Sequence, residues 1–218
     1  MEFRIELLVA AQKRLSYREY ESRVEEIESL NLEYTEQSRV LTPIVSRYSN
    51  NIFPTTIWRE LQQTYATIKR EGNNPLAEDE LDFVSELFPE SHLCTHDALG
   101  YFVPCCEKDG SLPILATDVC GGYVGSTAML RKELLELVPV YQIELAPLKS
   151  SVLRRGGGFD VSPQCLDFLQ KCVAADTKIV LNDPLYQQKA LWFVLYEACR
   201  LSELHSSAIY LSHVEVMR

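Results

Sequence analysis

Between Glu71 and Glu107 the sequence contains no lysine and no arginine, and this gap is its most informative feature. The same stretch holds nine acidic residues, Glu71, Glu78, Asp79, Glu80, Asp82, Glu86, Glu90, Asp97 and Glu107, almost the whole formal charge of −10. A solvated surface normally interleaves both signs, so a one-sign stretch of this length makes a local negative field that attracts a basic partner or a cation. Other absences narrow the class. The seven cysteines include no CxxC pair and are odd in number, which favours reduced thiols over a disulfide framework. The start, Met1-Glu2-Phe3-Arg4, lacks a basic stretch leading into a long apolar run, and charges interrupt every later hydrophobic run well short of ~18 residues. The expectation is a cytosolic chain with no membrane contact. No GxSxG elbow, no HExxH and no P-loop lysine is present, so no reaction motif accompanies the acidic stretch. A pI near 4.9 argues against direct nucleic-acid binding, because phosphate repels an acidic surface.

What is present describes a folded chain. With 218 residues, 46% of them hydrophobic, one domain spanning 1–218 is expected. Pro147, Arg154-Arg155 and Gly156 to Gly158 make 146–160 the place for a long loop and a subdomain boundary. The first ninety residues read as helices. Ser16 and Glu19 form a capping-box pattern, Thr42-Pro43 opens a short helix, and Pro54-Thr55-Thr56 introduces a helix through Lys69. Asn74-Pro75 opens another, which stops at Phe88 before Pro89. In the middle, Tyr101–Cys105 and Leu112–Ala116 read as a β-hairpin or two adjacent strands near an edge. Ser126 or Thr127 caps a helix to about Leu137, and Val138–Leu145 reads as a strand. Further on come a helix from Ser162-Pro163, a short strand at Lys178–Leu181, a helix from Asp183 to about Leu204 that is apolar around most of its circumference, and a terminal strand from Ala208. The fold class is α+β, with N-terminal helices packed with a small, mainly antiparallel sheet and a long buried C-terminal helix.

Four groups of residues are candidates for chemistry. On the helix from Asn74 to Phe88, Glu78, Asp79, Asp82 and Glu86 gather opposite Leu81, Phe83, Val84, Leu87 and Phe88. Neighbouring like charges four apart cost roughly 0.2–0.5 kcal/mol each in an isolated helix, so a compensating partner is expected at Glu78, Asp79, Asp82, Glu86 and Glu90. Gly121, Gly122, Gly125, Ser126 and Thr127, with Asp118 and Tyr123 nearby, lie between a strand and a helix, where backbone amides can cradle an anion. His92, Cys94, His96, Cys105 and Cys106 are metal-capable, but the tight Cys94-Thr95-His96 spacing and the adjacent cysteines do not suit a tetrahedral site, so no metal is expected. The thiols read as packing residues and the histidines as loop or surface groups favouring the charged form. Cys165 and Cys172 share a helix face and read as core, and no residue is assigned a catalytic role.

These features favour non-enzymatic binding of a basic protein partner through an acidic helix face, with no cofactor. Such a chain has the general character of an immunity protein neutralising a basic toxin, a likeness of type rather than of residues. The alternative is a small enzyme or ligand-binding domain with an anion site in loop 121–127.

Overall fold

The computed structural model describes residues 2–7, 18, 21–22, 25, 42–43, 52–70, 76–104, 115–117, 122–143, 184–205 and 208–214. Within these the fold is α+β. Strands β1 (Glu2–Leu7), β2 (Thr42–Pro43) and β3 (Ile52–Pro54) come first, followed by helix α1 (Thr55–Lys69). A 3-10 helix (Glu78–Phe83), α2 (Val84–Leu87), α3 (His92–Thr95) and β4 (Gly100–Val103) follow. Next are β5 (Leu115–Thr117), β6 (Gly122–Ser126), α4 (Thr127–Glu136), α5 (Val138–Tyr141), α6 (Pro184–His205) and β7 (Ile209–Val214).

The strands form one sheet in the order β2-β1-β7-β4-β6-β5, with β3 pairing with β1. The only parallel pairing among them is β4 with β6; the others are antiparallel. Strand β1 is the largest departure from expectation. Its Phe3, Ile5 and Leu7 alternate with Glu2, Arg4 and Glu6, the period of a half-buried strand, and Phe3 and Ile5 are fully buried. Thr42–Pro43 is a short strand against Leu7 and Glu6, not a helix start. The two strands expected in the middle region are present as β4 and β5, but they form no hairpin and are not adjacent, because β6 lies between them. Strand β4 is consequently internal, and Tyr101, Phe102 and Val103 are buried on both faces.

Helix α6 packs against α1, α4, β1 and β7, and Leu191 to Cys199 are buried without interruption. Its Trp192 donates its indole N–H to the Leu134 carbonyl at 2.7 Å, which satisfies the polar atom of a buried ring. Trp58 from α1 meets Phe3 edge-on at 5.6 Å and donates to the His96 carbonyl at 2.8 Å. Each large side chain so buried contributes about 1.5–3 kcal/mol relative to exposure. Residues 138–141 form a helical turn instead of the expected strand, with Pro139 in its first turn and Gln142 closing it at φ 51°. No helix among the described residues is long and apolar enough to cross a membrane. The expected features at Ser16, 146–160, Ser162–Ala175 and Lys178–Leu181 lie outside the described residues.

Candidate functional site

The acidic segment is held in place by its neighbours on both sides in sequence. The expected continuous α-helix from Asn74 to Phe88 is instead a 3-10 helix over Glu78–Phe83 followed by the single α-turn Val84–Leu87. Three residues per turn replace 3.6 in the first half, so the predicted i, i+4, i+8 face does not persist through the segment. Of the apolar residues expected inside, Val84 is buried and Phe88 packs partly against the core, whereas Phe83 and Leu87 remain 52% and 45% exposed.

The carboxylates divide into two groups. Glu80 is used within the fold: both its oxygens accept from the Arg70 guanidinium, at 2.5 and 2.7 Å, and one also accepts from the Ala77 amide at 2.8 Å. That bidentate pairing holds its carboxyl below the usual range. Asp82, Glu86 and Glu90 are exposed, and no ion pair among the described residues joins them to a cation. Glu78 and Asp79 lie in the same 3-10 helix.

Just after this segment, α3 acts as its anchor. A helix end leaves amides and carbonyls without intrahelical partners, and a single-turn helix is almost all ends. Ser91 Oγ accepts from the Cys94 amide at 3.0 Å. Glu133 of α4 reaches across to accept from the His92 amide at 2.9 Å and the Leu93 amide at 2.7 Å. From α1, the Gln62 side-chain amide donates to the carbonyls of Leu93, Cys94 and His96 at 2.8, 3.0 and 2.9 Å. Glu133 is only 5% exposed, and burial pushes its carboxyl up to about 7 although two amides favour the charged form. The tie between α3 and α4 is a position that sequence reasoning missed.

Both histidines expected at the surface are buried. His92 is 3% exposed and its Nδ1 accepts from the Ser126 amide at 2.8 Å. His96 stacks on Phe102 at 4.2 Å, and its Nδ1 accepts from the Ala98 amide at 3.2 Å. Burial lowers its pKa to about 3, so the ring is neutral and not the charged surface group anticipated. Cys94 is a buried thiol pushed up to about 12 by burial. Among the described residues no group of histidines, cysteines and carboxylates is arranged to hold a metal ion, and Cys105 and Cys106 lie outside them.

The glycine-rich stretch proves to be strand β6 rather than a loop. Tyr123 N donates to the Leu99 carbonyl at 2.9 Å and Ser126 N to His92, so two amides that would meet an anion are already bonded. Ser126 caps α4 through a bond from the Met129 amide at 3.4 Å, and Thr127 donates to the Val103 carbonyl at 3.3 Å. The glycines answer to packing: a Cβ on Gly122 would overlap the Leu99 carbonyl, and one on Gly125 would stand 2.7 Å from the Phe102 ring. Gly121 and Asp118 lie outside the described residues. A cleft of about 380 Å³ beside α1 is lined by Arg59 and His213 as well as by Asp97 and Asp82, so Asp82 borders this cleft in addition to being exposed.

No curated protein and no solved structure matches the chain. A family model described as "Putative DNA-mimic protein" matches residues 46–211, which take in β3, α1, the acidic segment, β4 to β6, all of α6 and the start of β7. This match corrects the partner expected above: the counterpart of a DNA mimic is a DNA-binding protein, not a basic toxin domain. The acidic, protein-binding character read from the lysine-free stretch agrees with that description. The match covers most of the 218 residues, and the chain belongs to this family.

Proposed function

We propose that this chain occupies the duplex-binding surface of a DNA-binding protein, with Asp82, Glu86 and Glu90, joined by Glu78 and Asp79, standing where DNA phosphates would stand. The observation that carries the reading is the exposed row Asp82, Glu86 and Glu90 in a segment without a single cation. Exposed carboxylates offer a duplex-binding surface the same sign of charge as the phosphates of DNA. Lysine and arginine side chains placed to neutralise phosphates then meet carboxylates instead, and duplex DNA is excluded. No catalysis is involved, and the chain itself does not bind nucleic acid.

The test is capture from host lysate on the immobilised chain, mass spectrometry of what is retained, and elution with a short duplex. DNA-binding proteins released by the duplex and by rising salt are expected. Neutralising all three acids together (Asp82→Asn, Glu86→Gln, Glu90→Gln) removes about 0.5 kcal/mol per exposed charge, and so weakens binding roughly tenfold. Retained proteins indifferent to both the duplex and the triple variant would overturn the reading.

A further inference from the structure

The outer acidic segment carries a second chemistry that phosphate mimicry leaves unused. Phe83 and Leu87 are 52% and 45% exposed, four residues apart, and interleaved with Asp82, Glu86 and Glu90. They are not casualties of a poor core. Val84, between them, is buried, and Phe88 packs partly against the core, so the segment has seated the side chains that its backbone can turn inward. Leu87 also lines a groove of about 360 Å³ in which Tyr65, Phe88, Pro89 and Met129 are joined by Lys69 and Lys132 as well as by acids. Exposed apolar side chains cost solubility, and a rim of charge around an apolar centre is the anatomy of a protein interface.

We infer that Phe83 and Leu87 are the apolar anchors of the interface with a DNA-binding protein, taking the place of the bases as the flanking carboxylates take the place of the phosphates. The inference rests on the reading proposed above. Duplex-binding surfaces do not present lysine and arginine alone. They carry apolar side chains that meet thymine methyl groups in the major groove or wedge between base steps in the minor groove. A mimic made only of carboxylates would leave those groups facing water or charge. Phe83 and Leu87 cover them. Charge complementarity fixes the orientation, since the acids beside each apolar residue must meet the cations beside each apolar group of the partner. The two chemistries divide the work: the carboxylates speed encounter and make it salt-dependent, and the apolar pair slows release.

The experiment uses the full chain and, as probe, the DNA-binding protein recovered by duplex elution, purified and titrated over a range of salt concentrations. Phe83→Ala and Leu87→Ala each weaken binding about tenfold or more with the slope of affinity against salt unchanged. Phe83→Leu, which keeps an apolar anchor, retains most of the affinity, and thermal melts establish that each variant is folded. The triple charge variant behaves oppositely, with a shallower slope. If the alanine variants are folded and bind as tightly as the parent while the charge variant is weakened, the anchors are refuted and the mimicry stands. If no retained protein is displaced by duplex DNA, both fall together.

Discussion

Replacing Glu133 with alanine tests how the acidic segment is held. The carboxylate is 5% exposed and accepts from two amides, those of His92 and Leu93, which are themselves 3% and 0% exposed. Alanine leaves both amides buried without an acceptor, at about 1–3 kcal/mol each, or about 2–6 kcal/mol in all. For a chain of this size that is a fall of about 4–24 °C in melting temperature. Glutamine keeps one acceptor and turns a donor toward the second amide, so it loses about half as much. The pH dependence gives a second reading of the same group. Burial raises the carboxyl from 4.5 to about 7, so between those values the folded chain holds a proton that the unfolded chain has released. Its contribution is therefore complete below about 4.5 and is lost as pH rises through 7, about 3 kcal/mol in total. Urea denaturation at pH 5, 6, 7 and 8 should show the glutamine variant's deficit shrinking as pH rises. An alanine variant within about 0.5 kcal/mol of the parent, or a glutamine deficit that does not change with pH, would refute the account.

Three other outcomes follow from the packing. Gln62→Leu removes the donor that serves three carbonyls at the end of α3, and a loss of about 1–3 kcal/mol in chemical denaturation is expected. Gly125→Ala forces a methyl to within 2.7 Å of the Phe102 ring, and a loss of about 1–3 kcal/mol is expected, with near-ultraviolet circular dichroism reporting the displaced aromatic. Gln142→Gly removes a side chain from a residue at φ 51° after α5 and should raise the melting temperature, since a non-glycine residue there costs about 1–2 kcal/mol.

The sequence was most readable where local chemistry and tertiary context agree. Pro54-Thr55-Thr56 opens α1, Ser126 caps α4, and the apolar circumference of the residues after Asp183 identifies α6 as buried. Strand β1 was readable too, in the alternation of Phe3, Ile5 and Leu7 with charged residues, but the helical patterns beyond it prevailed. Thr42-Pro43 shows the ambiguity of proline, which suits a helix start and the outer side of a strand equally. The insertion of β6 between β4 and β5 depends on the parallel pairing of β4 with β6, a crossover that no local pattern encodes. At the candidate interface, the exposure of Asp82, Glu86 and Glu90 matched the one-sign stretch. Amphipathic periodicity, however, placed Phe83 and Leu87 inside, because it assumed one helix type throughout. Glu133 escaped notice because an acid on a ten-residue helix reads as solvated, and only the arrival of α3 makes it an interior acceptor.

The position of β7 has a consequence for synthesis. It pairs with β1 on one side and β4 on the other, so the two halves of the described sheet are joined by a strand that is synthesised later than the other described strands. A nascent chain lacking it presents two open edges at once, the hazard that invites intermolecular pairing. Shielding by a chaperone should therefore matter most until β7 has emerged, and a stop before Ile209 should yield inclusion bodies rather than a shortened folded chain.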